Sequence, residues 1–94
     1  MTINLSKDFL SDLECIFDFI AQDSLENAVK FKTDLYAEIS KIPFMPKRFR
    51  KNLIINKDDF RDLIFKGYVV PFAIKEEFIE ILGIYKNNLW KSNE

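Results

Sequence analysis

Two hydrophobic periodicities divide the chain. Between Ser6 and about Gln22, Leu10, Leu13, Ile16, Phe17 and Ile20 recur at helical intervals, which predicts a helix with one apolar face. Ser6 reads as its N-cap, and Asp8 lies in the first turn, where the helix dipole favours negative charge. In "DSLE", Asp23 and Glu26 have capping-box spacing, and a second helix is expected to about Lys41. Its apolar face carries Ala28, Phe31, Leu35, Ile39 and Ile42. The break between the helices is short, so they should form an antiparallel hairpin. Pro43 and Pro46 end the second helix, and "PFMPKRFRKN" reads as the loop after it.

Beyond that loop the period shortens to two. "TINL" at the start is β-prone, and "NLIIN" can form a short extra strand. Strands are predicted near Asp59–Phe65, Tyr68–Lys75 and Phe78–Tyr85, joined by Lys66-Gly67 and Glu76-Glu77 turns. The order is β-α-α-β-β-β: an α+β fold, with a helical hairpin packed on one face of an antiparallel sheet. Two-residue turns fix the register. The helix-covered face then carries Leu63, Phe65, Tyr68, Val70, Phe72, Ile74, Ile79, Ile81 and Tyr85. The opposite face carries Phe60, Asp62, Ile64, Val69, Pro71, Ala73, Phe78, Glu80, Leu82 and Ile84, with no helix left to cover it. Such an apolar face implies a partner. Pro71 cannot donate to the sheet ladder, which predicts an edge position or a bulge there.

Composition narrows the class. The 94 residues show no compositional break, so residues 1–94 read as one domain. A domain of this size buries only about 60–65% of its unfolded surface, so the ten Phe are needed for the core. No apolar run is long enough to span a membrane, and "MTINLSKD" lacks the start of a signal peptide, so a cytoplasmic location is expected. A single cysteine excludes an internal disulfide framework, and Cys15, on a largely apolar helix, reads as a packed thiol. With one Cys and no His, neither a zinc site nor any other metal or cofactor is expected. Net charge is −1, but residues 43–57 hold five basic residues and no acidic one.

Three segments resemble the RelE/ParE superfamily of bacterial type II toxin–antitoxin toxins. "SDLECIFDFIAQDSLENAVKF" is similar to the family's opening helices, "FRDLIFKGYVVPFAI" to its Arg-x-Leu, turn and Tyr-led strand, and "FIEILGIYKN" to its final strand. The resemblance implies the fold derived above, a toxin function and a cognate antitoxin partner. It also offers two activities: RelE-like toxins cut messenger RNA on the ribosome, and ParE-like toxins are associated with poisoning DNA gyrase. RelE-like nucleases often have Arg after the "GY" turn, where this chain has Val69. Asp62 stands where they place Lys, and Asn87, beside Lys86, stands where they often have Arg. RNA cleavage through the 2′-hydroxyl needs a base, an acid and positive charge at the phosphate, and histidine is absent. The ParE-like branch is therefore the leading expectation, with a ribosome-dependent nuclease and an inactive, antitoxin-binding remnant as alternatives.

Candidate residues follow from these readings. Lys47, Arg48, Arg50 and Lys51 in "KRFRK", with Lys86 and Trp90, are candidate contacts to a target or nucleic acid. The basic run could equally be a solvated loop, and Trp90 could fold back on the core. If the chain is a nuclease, Tyr85, Lys86, Arg48 and Arg50 are its candidate catalytic residues, in a degenerate site that also uses Lys51. Ile64, Val69, Pro71, Ala73, Leu82 and Ile84 form the candidate antitoxin-binding face. Arg61 is expected to pair with a helix carboxylate, and Tyr68 to pack across the hairpin against Tyr85.

Overall fold

The helical hairpin and the sheet meet through one apolar layer. In the computed structural model, which describes residues 1–86, strand β1 (Thr2–Leu5) leads into helices α1 (Lys7–Ala21) and α2 (Leu25–Ile39). Two short 3-10 turns, Ile42–Phe44 and Pro46–Arg48, then lead to β2 (Arg50–Lys51). The remaining strands are β3 (Phe60–Phe65), β4 (Tyr68–Ile74), β5 (Phe78–Ile81) and β6 (Tyr85–Lys86). The sheet order is β1-β5-β4-β3-β2, and β6 also pairs with β4. The sheet is mixed rather than wholly antiparallel, because β1 runs parallel to β5. That pairing returns the N-terminal strand to the sheet beside the last hairpin.

Ser6 sets the seat of α1. Its Oγ accepts the amide N–H of Phe9 at 3.0 Å, capping the helix, and donates to the carbonyl of Leu82 at 3.1 Å. The first turn is thereby fixed to the sheet, and the buried stripe is Phe9 and Leu13, continued by the half-buried Ile16 and Ile20. Leu10, expected inside, is 45% exposed because Phe9 takes that place. Cys15 is also exposed, not packed. In α2 the N-cap is Ser24, whose Oγ accepts from Asn27 N at 3.1 Å, one residue beyond the predicted Asp23. The α2 face is as expected: Ala28, Phe31, Leu35, Ile39 and the following Ile42 are all buried. Phe31 meets Phe65 and Tyr68 edge-on, with ring centroids 5.3 and 5.5 Å apart.

Both predicted turns have two residues. Lys66 and Gly67 adopt left-handed φ values of 48° and 84°, as the tight turn pairing Phe65 with Tyr68 requires. The Glu76-Glu77 turn places Lys75 N against Phe78 O at 2.9 Å and keeps Ile74 opposite Ile79. The extra strand is displaced. "NLIIN" is a turn, and the strand is Arg50–Lys51, two residues earlier. Asn52 causes this: its side-chain oxygen accepts the amides of Ile54 and Ile55 at 3.0 and 2.8 Å, which curls the chain out of the ladder.

The register shifts opposite Pro71. Phe72 pairs with Ile81, but Val69 pairs with Tyr85, so the β5–β6 side holds one more residue than β4 between these points. Pro71 lies in a central strand, not at an edge. Its carbonyl still accepts Leu82 N at 2.9 Å, whereas its own nitrogen has no proton to give back. A bulge at residues 82–84 absorbs the mismatch. The extra residue exchanges the faces beyond it. Ile84, expected on the open face, is 2% exposed in the core cluster. Tyr85, expected under the helices, shares the open face with Val69. Tyr68 pairs with Lys86 instead of Tyr85, and the Lys86 ammonium lies 4.9 Å from its ring centroid.

This register makes a thermodynamic prediction. Ile84→Ala should cost about 2–4 kcal/mol in urea denaturation. Tyr85→Ala should cost less than about 1 kcal/mol, as expected of a more exposed position. The reverse order would mean that the strand runs uninterrupted.

Candidate functional site

The open face of the sheet is partly closed by its own residues. Register places Val69 between Ile64 and Tyr85, and Ala73 between Phe60 and Glu80. Val69 and Ala73 are consequently buried beside longer neighbours, Pro71 and Leu82 are half-buried, and Ile64 and Tyr85 are exposed. Only part of the candidate antitoxin-binding face is therefore accessible, and Ile84 is not on it.

Polar chemistry gathers at the β2–β3 end of this face. Asp62 is buried, with a relative exposure of 2%. One of its carboxylate oxygens accepts Arg50 Nε at 3.1 Å, and the other accepts the Asn52 side-chain amide at 2.8 Å. A buried carboxylate needs such partners, since an unpaired one carries a large desolvation penalty. Tyr85 lies close enough to feel this pair. Burial foremost, and then the charge of Asp62, raises its phenol above the usual range, with Arg50 opposing. Loss of the phenol proton is harder there than from a free tyrosine.

The basic run is divided by its partners. Lys47 pairs with Asp58 and Arg50 with Asp62, while Arg48 lies over the Phe49 ring at 4.3 Å. Phe49 in turn meets the core residue Phe72 edge-on at 5.5 Å. Among the described residues, Arg48 and Lys51 have no carboxylate partner. Arg61 pairs with Asp58 at 2.7 Å, not with a helix carboxylate. Its guanidinium also donates to the carbonyls of Lys47, Phe49 and Asp58, tying the basic loop to the start of β3. This bracing role arises because the loop approaches Arg61 more closely than either helix does.

The nuclease candidates come together only in part. Arg50 and Tyr85 share the open face, whereas Lys86 lies with Tyr68 on the helix side. There α1 and the last strand enclose a groove of about 290 Å³, lined by Asp12, Cys15, Ile16, Phe19, Tyr68, Ile84, Tyr85 and Lys86. Phe19 at its rim is 72% exposed. Trp90 and Asn87 lie outside the described residues. Among the described residues, no three Cys, Asp or Glu side chains gather to hold a metal ion.

A family model described as the ParE toxin of the type II toxin–antitoxin system parDE matches residues 3–87. The chain belongs to the ParE toxin family. The fold agrees. A solved structure titled "Chromosomal ParDE TA system from P. aeruginosa" superposes with a TM-score of 0.75 at 20% identity, covering 92% of this chain and 95% of that one. A comparison with curated proteins returns no match. This member of the ParE family is thus a type II toxin by family, and none of its described helices is long and apolar enough to cross a membrane.

The Asn52–Asp62 contact has no clear signature in the sequence, where Asn52 reads as the start of a strand. The one available signal is an Asn immediately after a basic pair and before an apolar run.

Two tests probe this geometry. Asp62→Ala leaves the buried Asn52 amide unpaired and should cost about 1–3 kcal/mol, with faster hydrogen exchange at Ile54 and Ile55. The hydrogen bond from Lys47, followed by its charge, holds the Asp58 carboxyl below the ordinary carboxylate range. The Asp58 contribution is therefore present above its unfolded pKa and lost as pH falls through the lowered folded value. An NMR titration should show Lys47→Ala moving the Asp58 transition upward; an unmoved transition would remove Lys47 as the cause.

Proposed function

We propose that this ParE-family chain arrests growth by binding a macromolecular target, DNA gyrase, and is neutralised by a cognate antitoxin. One observation carries the choice of binding over catalysis. Arg50, the cation that register places on the open sheet face, is committed to the buried Asp62 carboxylate. A nuclease needs such a cation free for the scissile phosphate. The pairing of Lys86 with Tyr68, whose ring it lies over, weighs the same way.

The antitoxin surface combines the accessible part of the open face, Ile64, Pro71 and Leu82, with the groove between α1 and the last strand. An extended or helical segment suits such a surface. Its side chains would fill the apolar positions, and β6 is a short strand at the end of the ladder.

Expression without antitoxin should halt growth, induce the DNA-damage response and trap gyrase-linked breaks. Rapid cleavage of translated messages at codon boundaries would replace this reading with the nuclease one. Normal growth at verified expression would instead indicate an inactive remnant.

A further inference from the structure

The exposed turn after β2 lies outside the antitoxin surface proposed above. Leu53 and Ile54 are 74% and 83% exposed, and Ile55 beside them is 42% exposed. Three consecutive large aliphatics at the surface of a small domain lose the burial that would ordinarily stabilise them. The turn is nevertheless firmly built. Asn52 holds it through its side-chain oxygen on Ile54 and Ile55, and through its carbonyl on Asn56 N at 2.8 Å. Asn56 completes the turn in a left-handed conformation, φ 53°, which Asn tolerates. The Asn52 side chain is itself anchored on the buried Asp62 carboxylate.

The sequence leading into and through this apolar tip is rich in cations. From Lys41 to Lys57 the chain has six Lys or Arg and no acidic residue. Lys41, Lys47 and Arg50 are bound by Glu38, Asp58 and Asp62, leaving Arg48, Lys51 and Lys57 without a carboxylate partner among the described residues. An apolar centre with a charged rim is the anatomy of a protein-docking patch. A turn already held in place also loses little conformational freedom on binding.

We propose that the Leu53–Ile55 turn, with Arg48, Lys51 and Lys57, is a docking prong for an acidic protein surface that offers an apolar pocket. The prong lies outside the surface proposed above for the antitoxin, and on that ground its occupant is the toxin's target. This deepens the preceding reading and rests on it. A protein fits better than the other anionic partners. Three free cations fall short of the six to ten phosphate contacts of strong duplex binders, and aliphatic side chains give bases no stacking platform. Asp58 and Asp59 follow directly and would repel a continuous sheet of phosphates. Those two carboxylates can be accommodated by a protein surface with localised acidic groups.

The test uses full-length wild type, a Leu53→Ser/Ile54→Ser variant and an Arg48→Glu/Lys51→Glu variant. Binding to the cognate antitoxin reports folding and should be unchanged in all three. Both variants should lose at least about tenfold in affinity for purified DNA gyrase, the scale of a lost hot spot, and should no longer arrest growth. Wild-type gyrase affinity in both variants would overturn the prong, as would an equal loss of antitoxin binding in folded protein. So would tight binding of wild type to phosphatidylglycerol vesicles or duplex DNA that the same substitutions abolish. If wild type arrests growth but does not bind gyrase, the target reading alone has failed, and growth then decides. Arrest lost in both variants supports the prong; arrest retained overturns it.

Discussion

The missing amide proton of Pro71 is the constraint on which the rest of the sheet depends. Pro71 occupies the central strand, with Asp62 opposite it on β3 and the last hairpin on its other side. Its carbonyl accepts from Leu82, so its nitrogen faces the same neighbour and cannot reciprocate. Residues 82–84 bulge in response, and the bulge sits against α1. The Leu82 carbonyl takes the Ser6 hydroxyl, and a Cβ added at Gly83 would lie 3.4 Å from the Asp12 carboxylate. One imino acid thereby determines where the first helix attaches and which way the last strand faces.

The functional consequences follow from that turn of the strand. Without the bulge, Tyr85 would be buried under the helices and Ile84 would add to an open apolar face. With it, Ile84 completes the core and Tyr85 stands near the Arg50–Asp62 pair. The face that could have held phosphate-directed cations contains a satisfied ion pair, half-closed apolar positions and the exposed Tyr85 phenol. The chain that carries this face belongs to the ParE toxin family. The polar network has a second effect, because Asp62 holds Asn52 and Asn52 holds an exposed aliphatic turn.

Much of this is legible in the chain. Helical spacing places the α2 face correctly at Ala28, Phe31, Leu35, Ile39 and Ile42, and the Lys66-Gly67 and Glu76-Glu77 turns give the register up to Phe72 and Ile81. Pro71 announces a bulge, but not that its partner strand carries it, so the expected faces of Ile84 and Tyr85 are exchanged. Leu10 and Phe9 compete for one position, and only the clamp from Ser6 to Leu82 decides between them. "NLIIN" has strand composition, yet the side chain of Asn52 outcompetes the ladder for the local amides. Side-chain bonds to backbone, near or distant, leave no periodic trace, and they account for several of the differences between pattern and structure.

The most direct test is the pairing of the last strand itself. In a nuclear Overhauser spectrum of the isotopically labelled protein, the α-protons of Tyr68 and Lys86 should show a cross-strand contact, as opposite residues in a non-hydrogen-bonded antiparallel pair do. A contact between the α-protons of Tyr68 and Tyr85 instead would mean an uninterrupted ladder. It would return Tyr85 to the helix side and Ile84 to the open face, and contradict the bulge opposite Pro71.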